Sequence, residues 1–157
     1  MDLISTLWKI DNVQAAEIFV ETAAQKPRHV QNFINNEFVE PTDAGWLDSH
    51  DPKSGRVIFQ LPRSSQPDVD RAIEAAAAAF SSWSKTTRQY RSAVLQRIST
   101  ILQEKRETFA LWESIDQGKT LERARIEVDR AIANFQYVYL QTYIKRIRQC
   151  GRMELGN

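Results

Sequence analysis

Cysteine is almost missing. The 157 residues hold a single one, Cys150, so no disulfide can form within the chain, and such thiol usage suits a reducing compartment. Histidine is nearly as scarce, and His29 and His50 with Cys150 cannot supply a usual structural zinc set. The five glycines stand at 45, 55, 118, 151 and 156, an arrangement that cannot spell the G-x-G-x-x-G dinucleotide fingerprint. An excess of one charge is absent too. With 21 basic and 20 acidic residues, the chain has no evident surface dedicated to nucleic acid or anionic lipid. No apolar run approaches the length of a membrane span. Asp2, Lys9 and Asp11 interrupt the N-terminal apolar residues, against a signal peptide, and acids at 2, 11, 17 and 21 argue against a transit peptide. The expectation is a soluble cytoplasmic protein with no nucleic-acid and no membrane partner.

What is present reads as one domain with room for a core. "QAAEIFVETAAQK" predicts a short helix that Pro27 stops. From 31 to 62 the signals are strands and turns. "NFINNEFVE" sets Phe33-Ile34 and Phe38-Val39 about Asn35-Asn36, residues that tolerate the positive φ of a tight hairpin. "DPKSGRVIFQLP" predicts a turn at Asp51-Pro52 closed by Gly55, then a strand from Val57 to Leu61. After Pro62 the period turns helical. Ser65 with Asp68 reads as a capping-box-like start, and Val69, Ile73, Ala76, Ala77 and Phe80 form one apolar stripe. Thr86 with Gln89 reads as the next capping box, before the stripe Val94, Ile98, Ile101 and Leu102. A third helix is expected over Lys105 to Asp116, burying Phe109, Trp112 and Ile115. The fourth starts at Thr120 and turns Leu121, Ala124, Val128 and Ile132 inward.

Between the last two helices lies "SIDQGKTLE", whose Gly118-Lys119-Thr120 is how a phosphate-cradling loop ends. Such a loop needs G-x-x-x-x-G-K-[ST] with a strand before it. Here Glu113 stands where the first glycine belongs, and "RETFALWESID" reads as helix. A helix joint accounts for every residue instead. Gly118 takes the left-handed conformation that ends one helix, Thr120 caps the next, Glu122 lies near that helix's positive end, and Lys119 near the preceding helix's negative end.

No other stretch makes a better site. Arg148 and Arg152 flank Cys150 and would lower its pKa, but no histidine is near it in sequence, so it reads as an incidental thiol. The basic tail "KRIRQCGR", with Lys145, Arg146, Arg148 and Arg152, reads as solvated. Glu113, Asp116, Glu122 and Glu127 read as helix-capping and surface carboxylates.

With these motifs in view, the run from "NFINNEFV" through "DSHDPKSGRVIFQLP" and "VDRAIEAAAAAFSSWS" to "FALWESIDQGKTLERARIEVDRAIANFQY" resembles the N-terminal part of the aldehyde dehydrogenase superfamily. Asp-Pro-x-x-Gly, the Ala-rich helix ending in Ala-Phe-x-x-Trp, and Glu-Ser-x-Asp-x-Gly-Lys carry the resemblance. Asp-Gln-Gly-Lys-Thr-Leu is most similar to the 2-aminomuconic semialdehyde dehydrogenase branch. The resemblance implies an α/β family fold, although this chain alone should be mostly α-helical with a small N-terminal β-hairpin region. It also implies NAD- or NADP-dependent oxidation of an aldehyde to a carboxylate, through a cysteine thiolate, an oxyanion hole and a glutamate that activates water. Those residues, and the cofactor-binding glycine motif, belong to parts of the family C-terminal to this run. No catalytic, cofactor-binding or metal residue carries over, and Cys150 does not match the nucleophile. Asp116 matches a position whose backbone helps hold a structural cation in some relatives.

The resemblance divides the chain into an unmatched extension, 1–30, a matched segment, 31–137, and an unmatched tail, 138–157. That pattern is expected of a chain truncated before the catalytic machinery and inactive alone. A further expectation is pairing with full-length aldehyde dehydrogenase subunits, as a non-enzymatic module. In the family the helical stripes meet a sheet that binds the cofactor. Each large side chain left wet without it forfeits about 1.5–3 kcal/mol, against a whole-domain stability of roughly 5–15 kcal/mol. A marginal, aggregation-prone helical domain is expected, its tail extending the fourth helix.

Overall fold

The Asn12 side chain accepts the Ala15 amide at 2.9 Å and starts α1, Val13–Gln25, which ends two residues before Pro27. The structure, a computed structural model, describes residues 8–43 and 45–153, with side chains to residue 138. Within α1, Ala16, Phe19 and Ala23 recur at helical spacing and are buried. The chain then makes β1, Arg28–His29, and the hairpin β2, Asn32–Ile34, with β3, Glu37–Val39. Asn35 and Asn36 have φ of 53° and 64°, the left-handed pair that a two-residue hairpin turn requires.

β4, Trp46–His50, and β5, Val57–Pro62, pair antiparallel, and β1 adds to the far side of β5 in parallel, giving the order β1-β5-β4. The turn between β4 and β5 closes as expected, with the Gly55 amide on the Asp51 carbonyl at 2.8 Å and Gly55 at φ +69°. Neither β1 nor β4 was expected. Two residues carry no period of their own, and β1 exists because β5 offers it a parallel edge.

Four more helices follow among the described residues. α2 spans Gln66–Trp83, α3 Arg88–Glu104, α4 Arg106–Gln117 and α5 Leu121–Met153. Asp68 reaches back to the Ser65 amide at 3.0 Å, the expected start of α2. The start of α3 differs by one residue from expectation. Thr87, not Thr86, accepts the Tyr90 amide at 3.1 Å, because the Thr86 hydroxyl donates to the Trp83 carbonyl at 2.7 Å. α5 continues through the 138–157 segment to Met153.

Two buried clusters hold these elements. One joins Ile10 and α1 residues Ala16, Phe19 and Ala23 to Ile58 of β5 and Leu111 and Ile115 of α4. In it the Phe19 and Trp112 rings meet edge-on with centroids 4.8 Å apart. The other joins Ala110 of α4 to Ala124, Val128 and Ile132 of α5, the inward stripe read from the sequence. Leu102 of α3 packs against it, and all four residues of the α3 stripe are half-buried. Of the expected α4 core residues, Ile115 is buried, while Phe109 and Trp112 are half-buried.

α2 stands apart. Of its 18 residues only Asp68 is buried, and its stripe faces outward, with Val69 45%, Ile73 61% and Phe80 64% exposed. Residues 10–25 pack on β5 and α4 and leave α2 uncovered.

Candidate functional site

The joint at Gly118 is where the most distinctive stretches of the sequence converge. Gly118 has φ 67° and ψ 11°, and its amide returns to the Ser114 carbonyl at 2.9 Å, so it closes α4 in the left-handed conformation. A Cβ on Gly118 would lie 2.8 Å from Cβ of Pro52. Glycine is therefore required twice, once by the backbone and once by the turn that leads into β5. The sequence suggested the first reason. The second was hidden, because nothing local to Gly118 reveals that Pro52 presses on it.

Lys119 Nζ lies 2.6 Å from Glu113 Oε1 and 3.4 Å from Glu127 Oε2. The Glu113 hydrogen bond, with the charges of both carboxylates, raises the lysine's pKa above its ordinary value against the pull of desolvation. Its carbonyl accepts the Ser114 hydroxyl at 2.7 Å. Thr120 accepts the Arg123 amide at 3.3 Å, the expected cap of α5. Lys119 thus ties α4 to α5 and is neutralised, so it is not a phosphate ligand in waiting. The sequence placed it near the end of α4 but did not reveal that Glu127 reaches it from α5.

The turn facing the joint is equally committed. Burial pushes the Asp51 carboxyl up, but hydrogen bonds from Ser54 and Lys53 and the Lys53 charge outweigh that, and its pKa falls below the usual carboxylate value. The Ser54 amide donates to Asp51 Oδ2 at 2.9 Å. Between this turn, α1 and the joint runs a groove of about 640 Å³, with Val20, Leu111, Ile115 and Leu121 among its apolar walls and Lys53 and Glu17 on its sides.

The remaining candidates stay separate. Asp116 accepts the Gln117 side-chain amide at 2.7 Å, and among the described residues no three His, Cys, Asp or Glu side chains gather to hold a metal. Glu122 lies in the first turn of α5 and is exposed. His29 stacks on Trp46 with centroids 4.2 Å apart. The side chains of Cys150, Lys145, Arg146, Arg148 and Arg152 lie outside the described ones. No helix among the described residues is long and apolar enough to cross a membrane. Nor does this joint make a phosphate loop: Lys119 is occupied and Glu113 replaces the glycine such a loop would need. The joint's chemistry is packing, capping and charge neutralisation.

Comparison with known proteins agrees with the motifs. The aldehyde dehydrogenase family model matches residues 38–150. Bovine (Bos taurus) 2-aminomuconic semialdehyde dehydrogenase is 37% identical over 126 residues, covering 80% of this chain and 25% of that protein. Malonate-semialdehyde dehydrogenase 1 of Shouchella clausii is 37% identical over 110 residues, covering 70% and 22%. Among solved structures, betaine aldehyde dehydrogenase from Staphylococcus aureus in complex with NAD+ superposes with a TM-score of 0.69 at 32% identity, covering 77% of this chain and 25% of the other. HpcC from Thermus thermophilus gives 0.70 at 30%, covering 78% and 24%. The chain spans about a quarter of the length of the curated relatives it matches.

Proposed function

Because the chain belongs to the aldehyde dehydrogenase family, we propose that it supplies packing surface to that fold rather than its chemistry, and that these 157 residues alone do not oxidise an aldehyde. The observation that carries this reading is α2. Its middle, Ala72 to Phe80, contains a single charged residue, Glu74, and a helix apolar nearly all round belongs inside a larger body. Here it stands open on almost every side. Any complete enzyme built on these residues would oxidise an aldehyde to a carboxylate with NAD or NADP. A solved relative holds NAD+, and the names of two relatives point to semialdehydes as the substrate class.

The test is direct. The purified chain, mixed with NAD+ or NADP+ and a panel of aldehydes and semialdehydes, should produce no reduced nicotinamide. Turnover above that of a heat-treated sample would overturn the reading.

The same open helix favours a second reading, a non-enzymatic module that pairs with full-length aldehyde dehydrogenase subunits through the α2 stripe. Co-expression with a full-length relative should then yield a stable complex that Ile73→Asp disrupts. A solitary, monodisperse chain in that experiment would exclude the module.

A further inference from the structure

The helix α1 lies outside the family match, which begins at residue 38, yet it supplies Ala16, Phe19 and Ala23 to the larger buried cluster. The rest of that cluster, apart from Ile10, is Ile58, Leu111 and Ile115, all within the matched segment. The core residues of the family's own part are therefore covered by a helix from outside the match. The cover is incomplete, since the groove of about 640 Å³ stays open between α1 and the joint.

We propose that α1 is a detachable cap, a helix held in cis over an apolar groove made by β5 and α4, which can leave without unfolding the α3–α4–α5 body. Three observations support it. First, the core is only partly shared: Leu121 packs against both clusters, but the second, Ala110, Ala124, Val128 and Ile132, contains no residue of α1, so the body keeps those buried contacts when α1 departs. Second, the aromatic contacts of α1 centre on Phe19, flanked in the cluster by Ala16, Val20 and Ala23. Phe19 sits between Phe59 at 5.7 Å and Trp112 at 4.8 Å, centroid to centroid, with the Arg28 guanidinium 5.3 Å from the Phe19 ring centroid. Among the described residues the ion pair that fastens α1 is an exposed one, Arg56 with Glu21 at 3.2 Å, whose side chains are 45% and 64% exposed. Third, the boundary is sharp. Lys26 and Pro27 separate α1 from β1, and β1 is fixed independently by its parallel pairing with β5.

Hydrogen exchange on the full-length chain tests this. Phe19→Asp should lower protection of the α1 amides roughly 100-fold or more, while amides of Ala124 and Val128 change by about threefold or less. A synthetic peptide of residues 8–26, added in excess to the Phe19→Asp chain, should bind it saturably by calorimetry, and the same peptide carrying Phe19→Asp should not; absence of binding by the first peptide would overturn the proposal. Parallel loss of protection in α1 and α5 would overturn the proposal, as would unchanged protection of α1. Should Phe19→Asp fail to fold, the unmodified chain in rising denaturant decides the matter. Amides of α1 must then exchange through an opening with a smaller denaturant dependence than those of α5. A single shared dependence would make α1 an integral part of one cooperative unit and defeat the idea.

Discussion

α1 and α2 each carry a regular apolar stripe, yet one has found a partner and the other has not. α1 buries Phe19 at 5% exposure, while α2 leaves Phe80 at 64%. Their sequences do not explain the contrast, since the α2 stripe Val69, Ile73, Ala76, Phe80 is as regular as that of α1. What differs is the neighbour. β5 and α4 present Ile58, Leu111 and Ile115 toward α1, whereas α2 is fastened mainly through a polar anchor at its first turn. A stripe states that a face must be covered; only the rest of the fold states by what.

The largest expected effect lies on the α1 side of this comparison. Leu111→Ala removes a side chain 3% exposed from the centre of the α1 cluster and should cost about 2–5 kcal/mol, read as a lower denaturant midpoint. A cost below about 1 kcal/mol would mean that this cluster is loose and that the contrast with α2 is smaller than the burial implies.

Gly118→Ala comes next. The left-handed backbone and the Pro52 contact at 2.8 Å both oppose a Cβ, so a loss of about 1–3 kcal/mol is expected by thermal melting. Pro52→Gly in the same background removes the opposing Cβ and should recover the steric part but not the backbone part, which separates the two causes.

These positions also mark how far the sequence could be read. Local chemistry was legible: Asn35-Asn36 announced the hairpin, Pro27 the end of α1, Ser65 with Asp68 the start of α2, and Gly118 the end of α4. The family and its mostly helical portion followed from motifs, because the motifs are these same local solutions repeated in a fixed order. What escaped is contact between different elements of the fold. β1 needs β5 as its edge, Gly118 needs Pro52 above it, and Lys119 needs Glu127 from the following helix. None of these leaves a periodic trace. The start of α3, read at Thr86 and found at Thr87, was missed for a local reason. Two adjacent threonines compete for one role, and the Trp83 carbonyl settles it by taking the first.

The anchor of α2 yields a prediction in pH. Asp68 accepts the Thr42 amide at 3.0 Å and the Thr42 hydroxyl at 2.6 Å, as well as the Ser65 amide. The Thr42 hydroxyl first, then the Ser65 amide, lower its pKa from 3.8 to about 2 against the opposing effect of burial. A depressed carboxyl stabilises the fold fully above its unfolded value of 3.8, and the contribution disappears as pH falls toward about 2. Protection of the Thr42 amide should therefore drop across that window. Asp68→Asn should remove the pH dependence while lowering protection at neutral pH. An unchanged acid profile in the Asn variant would assign the step to another carboxylate.

The smallest effect should come from the α2 stripe, and its smallness is what makes it informative. Ile73 is 61% exposed, so Ile73→Ser has little burial to lose and should change monomer stability by no more than about 0.5 kcal/mol. Solubility should rise, because one large apolar group leaves an open patch. A core residue of the same type would lose several times as much, as in the Leu111 case. If Ile73→Ser instead costs about 2 kcal/mol or more, the stripe is covered in solution, and the concentration dependence of the melt tells by what. A dependence on protein concentration means a second copy of the chain; its absence means an intramolecular cover, and α2 would then resemble α1 after all.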